Sequence, residues 1–162
     1  MLDRFDNDRD LEWTVVGGCF NGVATDADLS EVMTILDPDM LSDKQAALAY
    51  SAICRLVGAG IKADVIDEMT VLDKLRGDDA LGAFGKVPIA TLAEMTSVGA
   101  WSGANLPHYT RMVIERYKQR RIAALSKKLA VAGGKSSEAI DATGRELTML
   151  SLLGQEMRIE HI

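Results

Sequence analysis

The chain has 162 residues, of which 48% are hydrophobic, so a folded core is expected and wholesale disorder is excluded. Its net charge of −6 argues against a protein whose whole surface binds nucleic acid. No apolar run approaches the roughly 18 residues of a membrane span. The mostly charged start, residues 1–10, does not resemble a signal peptide, so we expect a cytosolic protein without membrane contact.

The first two thirds of the chain carry short helical patterns separated by turn residues. Residues 1–10 are polar and predict a disordered arm, and apolar residues at helical spacing follow from Leu11 to Phe20. Capping signals and a proline predict the starts of four further helices: Asp28 with Glu31, Ser42 with Gln45, Asp67 or Thr70, and Pro88, whose helix should reach Met95. These five helices predict a small bundle over residues 11–100.

The last third reads as two helices separated by Gly133 and Gly134. The first is predicted from Asn105 to Ala132, about 40 Å at roughly 1.5 Å per residue. Apolar residues recur at steps of three and four in both segments, which predicts one apolar stripe on each. We therefore predict an all-α protein, a small helical bundle followed by a long antiparallel helical hairpin at residues 101–154, with residues 155–162 starting a linker.

The sequence offers no credible enzyme site, so we expect no catalytic residues, cofactor or metal. Gly133-Gly134-Lys135-Ser136 mimics the end of a phosphate-binding loop, but that pattern needs glycine where Leu129 stands and a strand where a helix is predicted. The two histidines lie far from any ligand-spaced cluster. The two cysteines are predicted to be free thiols, and a disulfide is the alternative.

Positive charge is concentrated in one predicted helix. Between Arg111 and Lys128 there are seven basic residues and one acid, a charge of +7 − 1 = +6, which leaves −6 − 6 = −12 for the rest. A helix with this charge could bind phosphate groups or an acidic partner protein. The alternative is a solvated face whose charges pair with neighbouring acids.

Several segments, in order, resemble the N-terminal domain of DnaB-type replicative helicases. Glu12-x-x-Val15-Val16-Gly17 resembles that family's E-x-x-V-L-G opening. Further matches are Leu36-x-Pro38-x-Met40-Leu41 with the helix through Tyr50, Ile53 and Leu56, then Asp67-x-x-Thr70-Val71-x-x-x-Leu75, and last Ala104-Asn105-x-x-x-Tyr109-x-x-x-Val113-x-x-x-x-Lys118-x-x-Arg121. The resemblance covers roughly residues 11–153, although the aromatic residue that the family usually has near Leu41 is missing.

This resemblance implies a helical globule plus hairpin without ATPase activity of its own, since the family's RecA-like domain is not in this sequence. In the family, hairpins pair between subunits, and the dimers form a three-fold collar on the hexameric helicase that docks primase and, in some systems, loader proteins. We therefore expect a homo-oligomer, a dimer or trimer of dimers, that contacts DNA only indirectly. A stand-alone phage or accessory adaptor that modulates a helicase, loader or primase is the alternative.

Two sets of hairpin residues are candidates for these contacts. An exposed stripe of leucine and isoleucine would leave more apolar surface in water than soluble monomers usually expose. This favours self-association through the stripe. Its candidate residues are Ile114, Ile122, Leu125, Leu147 and Leu150. The hairpin tip mixes apolar and basic side chains, which suits a regulated contact with primase or loader. Its candidate residues are Leu129, Val131, Lys135 and Ile140.

Overall fold

The computed structural model describes residues 7–132 and 137–159, and every regular element in these two ranges is helical. The seven α-helices of the described ranges are α1 (Asp8–Gly17), α2 (Asp26–Ile35), α3 (Lys44–Gly58), α4 (Glu68–Gly77), α5 (Pro88–Gly99), α6 (Leu106–Ala132) and α7 (Ser137–Ile159). The predicted all-α class, a bundle followed by a helical hairpin, is confirmed. The chain divides into two compact units, Met1–Val113 and Ile114–Ile162.

Side-chain caps set the helix starts, and two of these caps differ from the sequence prediction. The Thr25 hydroxyl accepts a hydrogen bond from the Asp28 backbone N–H at 3.1 Å. Helix α2 therefore begins directly after Thr25, and the capping box predicted at Asp28 and Glu31 was wrong. Helix α3 is capped by Asp43 and not by the predicted Ser42.

The other predicted starts are close to those observed. Asp67 and Thr70 form a reciprocal capping box, in which the Asp67 carboxylate accepts from the Thr70 N–H at 2.8 Å and the Thr70 hydroxyl accepts from the Asp67 N–H at 2.9 Å. Pro88 is the first residue of α5. Helix α1 begins earlier than predicted because the Asn7 side chain accepts from the Asp10 N–H at 2.9 Å, so residues 8–10 of the predicted arm are helical.

A buried carboxylate on α1 holds the start of α3. Glu12 is 1% exposed. It accepts hydrogen bonds from the Ser42 hydroxyl at 2.6 Å and from the Asp43 backbone N–H at 2.8 Å. The Asp43 carboxylate in turn accepts from the Trp13 indole N–H and the Ala46 N–H, both at 2.9 Å. These bonds compensate the cost of burying the Glu12 carboxylate, and they explain why Ser42 is not the cap.

Helices α1 and α5 cross at two glycines with their backbones in contact. A Cβ atom on Gly17 would lie 2.0 Å from the Met95 carbonyl oxygen, and one on Gly99 would lie 2.3 Å from the Gly17 carbonyl carbon. Only glycine leaves room for this approach. Helix α5 was predicted to end at Met95, but it continues to Gly99, where it packs on α1.

The core of the first unit lies between helices α1 to α5 and is mostly apolar. The Tyr50 hydroxyl is buried there and donates to the Leu36 carbonyl oxygen at 2.8 Å, and burial raises the pKa of Tyr50. Both cysteines are free thiols, as predicted; Cys19 is buried and Cys54 half-buried. The other largest fully buried side chains of this unit are Leu11, Phe20, Leu29, Ile53, Ile66, Leu75, Phe84, Leu92, Met95 and Leu106.

The second unit contains α7 and the part of α6 that follows Val113. The Arg121 guanidinium donates to Glu146 through Nε at 3.1 Å and also through a second, shorter contact. This pair links α6 to α7 in an antiparallel hairpin. The Glu146 hydrogen bond and charge raise the pKa of Arg121. Leu125, Thr143 and Leu150 are buried in this unit.

Candidate protein-interaction surface

The described residues contain no cluster with metal-ligand chemistry and no membrane-spanning helix. No group of three or more His, Cys, Asp or Glu residues within ranges 7–132 and 137–159 could hold a metal ion. In the same ranges no helix is long and apolar enough to cross a bilayer. The predicted phosphate-loop mimic, Gly133 to Ser136, lies outside the described residues.

The residues predicted for self-association are mostly covered by the chain itself. Ile114 is fully buried, and Leu125 and Leu150 are 3% and 7% exposed. Leu147 is half-buried. Ile122 is 42% exposed and is the member of the set with substantial accessible surface. Periodicity identified the apolar faces of the two helices, but three of these five side chains lie in the interior of a single copy.

A different face of α7 exposes apolar surface that the sequence reasoning missed. Met149 is 70% exposed and Leu152 is 50% exposed. They share a helix face with the exposed Ala142 and Arg145, because the four residues follow each other at steps of three, four and three. We call Ala142, Arg145, Met149 and Leu152 the outer stripe. The same spacing is visible in the sequence and could have identified it.

The predicted docking residues at the hairpin tip are only partly described. Val131 is 78% exposed and Ile140 is 43% exposed. Leu129 is half-buried, and Lys135 lies outside the described residues. Lys127 and Lys128, both exposed, follow one another just before Leu129. The described part of the tip therefore presents apolar and positively charged groups together.

Acidic neighbours neutralise much of the positive charge on α6. Within the first unit, Arg111 pairs with Glu31 at 2.7 Å. Within the second unit, Lys118 pairs with Glu115 at 3.4 Å, and Arg121 pairs with Glu146. Arg116 and Arg120 also take part in interactions. None of the ion pairs between described residues includes Lys127 or Lys128. This pattern favours the solvated, paired face over a nucleic-acid-binding helix.

The motif residues behind the family resemblance have structural roles in the first unit. Glu12 holds the start of α3, Gly17 forms the crossing with α5, and Asp67 and Thr70 cap α4. Tyr109 is 6% exposed, and its ring meets the Trp101 ring edge-on at 5.3 Å between centroids. These residues fix the globule, so the contacts that distinguish one partner from another must be sought on exposed residues.

Comparison with known proteins agrees with this architecture. The family model described as the DnaB-like helicase N-terminal domain matches residues 5–115. The fold is similar to the crystal structure of the N-terminal domain of DnaB helicase from Mycobacterium tuberculosis, with a TM-score of 0.73, 23% identity, and coverage of 88% of this chain and 96% of that one. No curated protein matches the sequence significantly. Because the family model covers more than half of the sequence, the chain belongs to the DnaB-like helicase N-terminal domain family.

Proposed function

We propose that this chain is a non-catalytic assembly and docking domain of a replicative DNA helicase, acting in cytoplasmic DNA replication. Copies associate through their hairpins as dimers or trimers of dimers within the collar of the hexamer, and the collar docks primase or loader. Family membership supports the helicase context. The observation that carries the assembly role is the outer stripe, which places Met149 and Leu152 in solvent at 70% and 50% exposure.

A second copy of the hairpin is the occupant that fits the outer stripe best. The stripe is apolar at Met149 and Leu152 and carries the long aliphatic stem of Arg145, so it can pack against a similar helix face. A symmetric dimer needs only one self-complementary patch of this kind. Ile122, exposed on α6, adds apolar surface to the same unit.

Substituting the outer stripe with acid should separate the copies. In Met149→Asp/Leu152→Asp, association would bury unpaired carboxylates, and we expect the dissociation constant to rise about 100-fold or more, about 3 kcal/mol. Gel filtration with light scattering over a dilution series measures this change. Circular dichroism should be unaltered, because both side chains are exposed in the single copy.

Met69→Asp/Val87→Asp is the matched control for this experiment. Met69 and Val87 are 61% and 56% exposed in the first unit, so this double substitution adds the same two negative charges outside the hairpin. It should leave the association unchanged. Equal weakening by both variants would show that general charge repulsion, and not the outer stripe, controls assembly.

We place the docking of primase or loader at the hairpin tip. Val131 and Ile140 are exposed there, and Lys127 and Lys128 precede the tip without an ion pair to a described residue. An apolar contact ringed by positive charge suits a partner with an apolar anchor and acidic neighbours. Such a contact can be strong enough to recruit a partner and weak enough to release it.

Truncating the exposed tip residues should weaken partner binding without unfolding the hairpin. We expect Val131→Ala/Ile140→Ala to reduce affinity for the cognate primase by about tenfold or more, as measured by calorimetry. Val65→Ala/Val87→Ala is the control, since those residues are 50% and 56% exposed in the first unit. The same titration is then repeated with the loader. Unchanged affinity of the tip variant for both partners would rule out docking at the tip.

A further inference from the structure

We propose that Met149 is an oxidation-sensitive modification site, at which conversion of the thioether to the sulfoxide by a peroxide prevents self-association of the hairpin. This inference rests on the proposed assembly role of the outer stripe. Met149 is 70% exposed and lies between Arg145 and Leu152 on that stripe. It therefore combines access to a small oxidant with a central place in the surface proposed to be covered by a second copy.

The chemistry is a single oxygen transfer. A lone pair on the Met149 sulfur attacks one oxygen of hydrogen peroxide, the O–O bond breaks, and a sulfur–oxygen bond forms. Sulfur loses two electrons. The second peroxide oxygen gains them and leaves with both protons as water. The product is polar and accepts hydrogen bonds strongly, so covering it with an apolar surface leaves an unsatisfied acceptor.

Other oxidisable groups in the described residues are less suited to this role. Burial raises the pKa of Cys19 to about 12 and also raises the pKa of Cys54, so both remain protonated thiols at neutral pH, the less reactive form. Met95 is fully buried in the first unit. Met69 is 61% exposed, but it lies on α4 outside the hairpin. Met112 on α6 is half-buried and belongs to the first unit. Among the side chains of the second unit that the structure describes, Met149 is the methionine.

Oxidation and association should compete for the same side chain. A separated copy exposes Met149 to the oxidant, whereas an associated copy covers it. The rate of Met149 oxidation should therefore fall as protein concentration rises through the dissociation constant, while the rate for Met69 stays constant. Peptide mass spectrometry after a short pulse of hydrogen peroxide reports both rates in one sample.

The decisive experiment compares the full chain with Met149→Leu and Met69→Leu before and after hydrogen peroxide treatment, by sedimentation velocity. Leucine keeps the apolar volume but cannot be oxidised. We expect peroxide to raise the dissociation constant of the wild type and of Met69→Leu by about tenfold or more, and to leave Met149→Leu associated. Methionine sulfoxide reductase should restore association, whereas dithiothreitol, which reduces disulfides and sulfenic acids, should not.

Met149→Gln supplies an independent readout, because its amide places a polar group near the sulfoxide position without peroxide. It should associate about tenfold or more weakly than Met149→Leu, with the same circular dichroism spectrum. An unmodified wild type that is monomeric overturns both the assembly role and this inference. Two results would overturn this inference alone. One is a wild type that remains an oligomer when Met149 is fully oxidised. The other is a Met149→Leu variant that dissociates under peroxide as much as the wild type does.

Discussion

Gly99→Ala should destabilise the domain by about 4 kcal/mol or more, which is a large part of the roughly 5–15 kcal/mol of a typical domain. The added Cβ would lie 2.3 Å from the Gly17 carbonyl carbon and from the Gly18 nitrogen, and 2.5 Å from the Gly17 Cα. All three are backbone atoms, so no side-chain rotation relieves the overlap, and α1 must move away from α5. Urea unfolding followed by circular dichroism measures the loss.

Gly58→Ala is the matched control for the helix crossing. Gly58 is the last residue of α3, and a Cβ atom there meets nothing within 4 Å. Alanine at this position should be neutral or stabilise the helix by about 0.5–1 kcal/mol. A Gly99→Ala protein within about 1 kcal/mol of the wild type would mean that the two helices are not held in backbone contact.

Leu125→Asp should unfold the hairpin instead of merely separating copies. Leu125 is 3% exposed in the second unit, so aspartate there would bury a carboxylate at a position that now holds an apolar side chain. The expected cost is about 3–5 kcal/mol, from the lost apolar burial and the desolvated carboxylate. Loss of ellipticity at 222 nm and rapid proteolysis between α6 and α7 would report the unfolding.

Ile122→Asp, three residues earlier on the same helix, separates burial from charge. Ile122 is 42% exposed, so its aspartate can remain in water, and helicity should be retained. If Leu125→Asp also retained its helicity and simply became monomeric, Leu125 would be an intermolecular contact, and the interior position of the side chain would be contradicted.

Helix identity was readable from sequence wherever local signals acted alone. The Asp67–Thr70 capping box and Pro88 marked the starts of α4 and α5 correctly. Ser42 failed as a predicted cap because Glu12, 30 positions away, takes its hydroxyl and leaves the capping role to Asp43. Such a bond between distant residues leaves no local pattern in the sequence. Tertiary contact also decides where α5 ends, because the helix continues to Gly99, where it packs on α1.

The candidate surface was less predictable than the fold. Leu125 and Leu150 follow the same helical periodicity as an exposed stripe would, and sequence alone does not say whether a helix of the same chain or of another copy covers them. The Arg121–Glu146 pair shows that α6 and α7 pack on each other, which explains why those leucines are buried within one copy. Among the described side chains of α7, Met149 and Leu152 then remain as large exposed apolar residues, with Ile140 nearer the tip.

The mass of the wild-type chain in solution tests most directly whether the hairpin assembles copies of this domain. One copy weighs 17.5 kDa, so a dimer weighs 2 × 17.5 = 35 kDa. Sedimentation equilibrium at tens of micromolar should give 35 kDa or a multiple of it. An association free energy of only about 7 kcal/mol already gives a dissociation constant of about 10 μM, below the protein concentration used. A mass of 17.5 kDa throughout that range would contradict assembly through the hairpin.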